Sequence, residues 1–197
     1  LKQLPSEIRN LTALQELKLG GNEMEQLPVE LRYLTALREL NLHRNPMVLR
    51  SEMIGKLTAL QRLHLSHNML TELPSWVQNL TALQHLDLAY NSLTELPSWV
   101  KNLTALRHLR LTGNNITMDL PHTLQTLITS QHLIHLDLGS MELSKLPEEI
   151  GKLTSLQYLG LEENTLTSLP SQIGELTALR VLRLGENELT SLPNEIG

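Results

Sequence analysis

Leucines recur along this chain on a fixed schedule. The pattern L-x-x-L-x-L-x-x-N-x-L starts at Leu14, Leu37, Leu60, Leu83, Leu106, Leu133, Leu156 and Leu179, every 23 residues except for the 27 between Leu106 and Leu133. Within each copy the x-L-x-L stretch alternates polar and apolar residues, the period of a strand with one buried face. The other half, L-P-x-x-I-G-x-L-T-A-L, predicts a short helical turn with proline at its first position. A unit this short cannot close a core alone and must bury its leucines against the next copy. The pattern therefore predicts an α/β repeat of about eight coils forming one domain over residues 1–197. Its strands make a curved parallel sheet on the concave face, with short helical turns or loops on the convex face.

Some polar positions are fixed by the repeat. The Asn at its ninth position (Asn22, Asn45, Asn68, Asn91, Asn114, Asn164 and Asn187) is an amide that both donates and accepts. It suits the pairing of backbone groups of adjacent coils that packing would otherwise strand. Thr12, Thr35, Thr58, Thr81, Thr104, Thr154 and Thr177 recur where a hydroxyl can cap a turn. Gly55, Gly151 and Gly174 fit a tight bend, but Arg9, Arg32, Gln78 and Lys101 stand there in other copies, so a positive φ is not required.

A fixed period of this length is the signature of a leucine-rich-repeat solenoid. The 23-residue period, the Leu-Pro opening and the I-G-x-L-T-x-L connector together resemble a subclass of these repeats. They are similar to the intracellular plant Ras-group and Scribble-like scaffold repeats and to many bacterial leucine-rich-repeat proteins, over essentially the whole chain. The resemblance implies a binding module, often joined to kinase, GTPase or ubiquitin ligase domains. Two alternatives stay open: a regulatory or substrate-targeting arm of such an enzyme, and a metal- or pH-sensing surface.

Composition narrows the classes of partner. A net charge of −5 argues against general binding to phosphate backbones, and no apolar run is long enough to span a membrane. The expected partner is another protein, with no nucleic acid or membrane, and the chain is expected to be a monomer. Cysteine is absent, so no disulfide cap can form, which fits a reducing compartment and a cytoplasmic location. Both ends fall inside a repeat, so a fragment lacking its caps is expected. No nucleophile elbow, phosphate loop or zinc-protease spacing occurs. Ser66, His64 and Asp87 share the strand face without an evident oxyanion hole, so no enzyme activity, catalytic residue or cofactor is expected.

The repeat breaks in its sixth copy. The connector from Leu127 to Leu133 is three residues longer than L-T-A-L, one more residue enters around residues 114–120, and Met141 replaces the ladder Asn. Met cannot form the amide bonds, so a locally distorted or hydrated coil with an extended convex loop is expected. Arg50 and Ser51 also replace Leu-Pro in the third copy. Trp76 and Trp99 hold equivalent slots, which places them side by side, packed over the neighbouring turn or exposed as a second contact.

Where the repeat leaves residues free, they collect histidine. Six of the chain's eight histidines occupy the third, fifth, seventh and eighth motif positions, which face solvent or flank the strands. Strands about 4.8 Å apart place His85, His108 and His135 in one row, with Asp87 and Asp137 a step away. Such a row serves as adaptable polar contacts, as a pH-responsive surface, or as a metal site. No metal ligand is assigned. The expected partner-binding residues on the concave face are Arg44, Arg62, His64, His67, His85, Asp87, Tyr90, His108, Arg110, His135, Asp137 and Tyr158, centred on repeats three to six. Arg44, Arg62, Arg107 and Arg110 make the middle coils read as basic to amphoteric, and Glu162, Glu163, Glu186 and Glu188 make the last two acidic.

Overall fold

A computed structural model describes the chain except residues 25, 46–51, 118, 130–131 and 197. The Arg50–Ser51 departure therefore lies outside the described residues. Each repeat contributes one three-residue strand. In order these are β1 (Glu16–Lys18), β2 (Glu39–Asn41), β3 (Arg62–His64), β4 (His85–Asp87), β5 (His108–Arg110), β6 (His135–Asp137), β7 (Tyr158–Gly160) and β8 (Val181–Arg183). They form one sheet of eight strands in sequence order, with every neighbouring pair parallel. The middle residue of each strand is a leucine aimed into the core, and Leu40, Leu63, Leu109, Leu136 and Leu159 are wholly buried. Each such side chain contributes about 1.5–3 kcal/mol by leaving water.

Opposite the sheet, the connectors fold as short 3-10 turns such as Ser75–Asn79, Ser98–Asn102 and Glu148–Lys152. Proline stands one residue ahead of the first helical position. Its ring fixes φ between −58° at Pro74 and −71° at Pro5, and its carbonyl accepts the first turn bond, as from the Val77 N–H at 3.0 Å. The recurrent threonines are exposed, and the turns close through backbone instead, the Leu80 N–H returning to the Val77 carbonyl at 3.0 Å. Gly55, Gly151 and Gly174 do not bend the chain. They let coils approach, since a Cβ at Gly151 would lie 2.7 Å from the Gln172 carbonyl oxygen. Trp76 is buried and Trp99 packs partly buried against the core, so both belong to the packing between turns.

Inside the solenoid the asparagines form an amide ladder. Asn91 Nδ2 donates to the Leu88 carbonyl of its own coil at 2.9 Å and to the Leu65 carbonyl of the preceding coil at 3.0 Å. Its Oδ1 accepts from the backbone N–H groups of Asn68 and Leu70, both at 3.0 Å. Asn164 repeats this pattern with Leu161, Leu138, Met141 and Leu143. One side chain thus satisfies four backbone groups from two coils, away from water.

Met141 interrupts the ladder but not the sheet. It is 1% exposed, and β5 and β6 pair in unbroken register, Leu109 opposite Leu136. On the far side an α-helix, α1 (Leu120–Ile128), replaces the 3-10 turn and buries Leu120, Leu124 and Leu127. The insertion is therefore a packed helix where a loop was expected. The strand register at this coil is undistorted, because backbone pairing and the leucine core hold it without the amide.

Every coil turns through the same backbone conformation. The eighth motif position has positive φ throughout: Gly21 and Gly113 at 69° and 67°, and Arg44, His67, Tyr90, Ser140, Glu163 and Glu186 between 49° and 56°. A side chain in this left-handed region costs about 1–2 kcal/mol, and nothing in the composition of that column signals it.

Three stability outcomes are expected. Asn91→Ala strands the buried N–H groups of Asn68 and Leu70, while the Leu65 and Leu88 carbonyls keep Asn68 and Asn114 Nδ2, and it lowers the unfolding free energy in urea by about 2 kcal/mol or more. Met141→Asn restores the missing rung and raises the unfolding free energy, whereas Met141→Ala lowers it by about 2–5 kcal/mol through a cavity. Glu186→Gly relieves the left-handed backbone and raises the thermal midpoint by the equivalent of about 0.5–1 kcal/mol.

Candidate functional site

Parallel in-register pairing places the third motif position, the first residue of each strand, beside its counterpart in the next coil. His85 pairs with His108, His108 with His135, and His135 with Tyr158. The rings use this alignment. His85 stacks on His108 with centroids 4.1 Å apart and planes 9° apart, and His135 stacks on Tyr158 at 4.0 Å and 5°. Between the two pairs, His108 and His135 are 5.4 Å apart and tilted by 33°. The Arg183 guanidinium lies 5.8 Å from the Tyr158 ring centre, within cation–π range. Four rings from consecutive coils thus form one ladder, each stack contributing about 0.5–1.5 kcal/mol beyond its buried area.

The fifth residues form a parallel row of charge. Arg110 lies between two carboxylates, 3.6 Å from Asp87 and 3.5 Å from Asp137, and His64 Nδ1 sits 3.8 Å from Asp87. Towards the N-terminus, Arg62 lies 3.7 Å and Lys18 3.4 Å from Glu39. The middle coils are therefore not a basic patch, because Arg62 and Arg110 are compensated on the sheet itself. Such part-exposed pairs add only about 0–1 kcal/mol each to stability, and their main effect is to hold the side chains in place.

Protonation follows from this packing. Desolvation, then the neighbouring His108, Arg62, His64 and His135, lower His85 from 6.5 to about 4. Desolvation followed by Arg107 also lowers His108, and desolvation followed by His108 lowers His135. The ring row is consequently neutral at neutral pH. For Asp87, burial is the largest influence and acts upward. The His64 hydrogen bond, the Ala89 N–H and Arg110 outweigh it and leave the carboxyl below its ordinary value. Stacked imidazoles turn their faces to one another, and among the described residues no group of three His, Asp or Glu is arranged to hold a metal ion.

Nine of the twelve expected contact residues converge on these two rows: Arg62, His64, His85, Asp87, His108, Arg110, His135, Asp137 and Tyr158. Arg44, His67 and Tyr90 do not join them, because each occupies the left-handed turn after its strand. On that rim His67 and Tyr90 stack with centroids 4.6 Å apart, and Arg44 is exposed. The charge compensation was missed from sequence, although alternation of Asp87, Arg110 and Asp137 down one column carries it.

Known families and structures bear on the fold. A leucine-rich-repeat model matches residues 48–93 and 58–116, and a leucine-rich-repeat-region model matches residues 111–197. The chain belongs to the leucine-rich-repeat family. No curated protein matches its sequence. Among solved structures, a leucine-rich-repeat protein of Leptospira interrogans is similar with a TM-score of 0.58 and 28% identity, over 98% of this chain and 66% of that one. The ectodomain of the plant membrane receptor kinase GASSHO1/SCHENGEN3 from Arabidopsis thaliana, solved with CASPARIAN STRIP INTEGRITY FACTOR 2, gives 0.66 and 26%, over 99% and 27% of the two chains. Internalin C2 of Listeria monocytogenes gives 0.76 at 22% identity, over 93% and 76%, a likeness of fold alone. The chain thus spans 66% of the Leptospira protein and 27% of the plant ectodomain.

An acid limb of stability is expected. Because His85, His108 and His135 are lowered in the folded state, the unfolded chain binds protons first as pH falls. Their stabilisation is complete above the unfolded value of 6.5 and is lost as pH falls through the folded values, about 4 for His85. The lowered Asp87 extends the loss at the acid end. Thermal midpoints measured across this window should fall, and the fall should be at least halved when His85 and His108 are both replaced by Asn.

Proposed function

We propose that this chain is a protein-recognition module whose partner docks on the solvent face of the sheet, centred on repeats three to six. Leucine-rich-repeat proteins commonly mediate protein–protein interaction, and the ring ladder carries the assignment to this face. The His85–His108–His135–Tyr158 stack spans four coils in register and is not required by the leucine core. Its rings are neutral and already ordered, so a partner meets a surface whose side-chain entropy is largely spent before contact.

The compensated charge row beside it favours orientation over long-range attraction. Complementary pairs on such a face discriminate between partners and set approach rates more than they add affinity. This supports a contact area centred on β3 to β6, because repeats seven and eight carry less of either row.

The reading is tested with a partner captured on the immobilised chain. Arg110→Glu and the double change His108→Ala with His135→Ala should each weaken that complex by about tenfold or more, the scale of a central contact. Arg180→Glu and Glu186→Arg should change it less than about twofold, as peripheral charges do. Equal losses from both regions would overturn the placement.

A further inference from the structure

The four central strands balance their charge and are rich in imidazole. On their solvent side β3 to β6 carry Arg62 and Arg110 against Asp87 and Asp137, together with His64, His85, His108 and His135. Both carboxylates are already engaged. Asp87 Oδ1 accepts the Ala89 N–H at 3.1 Å, and its Oδ2 faces His64 and Arg110. Asp137 Oδ1 accepts the Gly139 N–H at 3.2 Å, and its Oδ2 faces Arg110. The third-position row, Arg62, His85, His108, His135 and Tyr158 in unbroken register, contains no carboxylate. Glu39 lies past one end, 3.7 Å from Arg62, and Glu162 past the other, 3.4 Å from Arg183.

Acid changes what this row offers. A neutral imidazole has one N–H to donate, and a protonated one has two. The half-buried His85 and His108 rings cover one another's faces at 4.1 Å, so the part of each ring left to solvent is its edge. Charging both sets two cations in contact, with Arg62, Arg107 and Arg110 close by. Desolvation is the first cause of their reluctance to take protons, followed by neighbouring histidines and arginines, with Asp137 alone acting upward on His135. Tyr158 ends the row with a hydroxyl that burial and then Asp137 keep protonated. Acceptors laid along the ring edges oppose the repulsion between cations.

Resting on the reading that the sheet's solvent face docks a protein, we propose that acidification turns the row from Arg62 to Tyr158 into a site for a carboxylate-rich segment of the partner. Five in-register positions span roughly 19 Å at ordinary strand spacing, the reach of about six extended residues. Carboxylates along that span accept from the ring N–H groups in charge-assisted hydrogen bonds and shield the charges that the bare stack brings together. An acidic segment fits because the row supplies donors and no competing acid. A basic segment meets only Asp87 and Asp137, whose oxygens are already taken. Binding and protonation are linked: each ring that gains a proton in the complex raises affinity by up to about tenfold per pH unit of acidification.

The probe is acetylated and amidated hexa-aspartate, largely ionised at about pH 5 because free aspartate titrates at about 3.9. Hexa-asparagine is its uncharged counterpart. Each is titrated into the full chain at equal ionic strength, at about pH 7.5 and about pH 5, on either side of the ordinary imidazole value. Hexa-aspartate should bind at least about tenfold more tightly at the acid pH and shift backbone amides of β3 to β6, and hexa-asparagine should do neither. The imidazole resonances of His85, His108 and His135 should titrate at higher pH in the complex than in the free chain. Replacing these three together by Gln should cut the acid gain below about threefold. His122 and His132 lie exposed outside the row, so His122→Gln with His132→Gln should leave the gain unchanged. An equal gain in the triple variant, equal binding of the two peptides in acid, no binding of hexa-aspartate, or unmoved imidazole titrations would each overturn the acid site. The docking reading survives any of these if Arg110→Glu still weakens the captured partner at neutral pH, and falls separately if it does not.

Discussion

A dry interior that stacks one backbone loop on another has to satisfy the carbonyl and N–H groups between loops without water. In this chain the task falls to a carboxamide, the one small side chain that offers two donors and a two-lone-pair acceptor in a single plane. Asn45, Asn68, Asn91 and Asn164 each bridge their own coil to its neighbour. Once those bridges and the leucine core set the stagger between coils, strand register follows. With register set, every solvent-facing residue acquires a fixed neighbour one repeat away, 23 residues on in most coils and 27 from the fifth to the sixth.

That alignment explains why the sheet face is orderly. Isolated imidazoles on a surface would sample rotamers freely and titrate near their ordinary value. Held in stacks by parallel strands, they lose water, shield one another and stay uncharged. The same alignment lets Arg110 reach two carboxylates from different coils. Neither the stacks nor the ion pairs supply much of the stability. They convert a repetitive scaffold into a defined pattern of rings and charges.

Most of the architecture was legible because the leucine period is strict: strand order, parallel pairing, the amide ladder and the adjacency of His85, His108 and His135 follow from counting. The misreadings came from features that counting does not contain. Arg62 and Arg110 read in sequence as part of a basic-to-amphoteric surface, and only side-chain reach shows which carboxylates they pair with. Met141 looks like a distortion, yet the leucines beside it and the helix at Leu120–Ile128 hold the strand in place. The left-handed turn was hidden because six of its eight residues carry side chains, so no run of glycines marks it.

The missing rung at Met141 also has a mechanical side. Amide bridges run along the long axis, so tension applied end to end is shared by rungs and strand pairing in series. Where Asn114 faces Met141, the coils are joined by backbone pairing, hydrocarbon contact and the part-exposed Arg110–Asp137 pair, without the buried four-fold clasp present at Asn91 or Asn164. A pulling force therefore finds its yield point there, and the chain parts into a front segment of five coils and a rear segment of three, each keeping its own clasps.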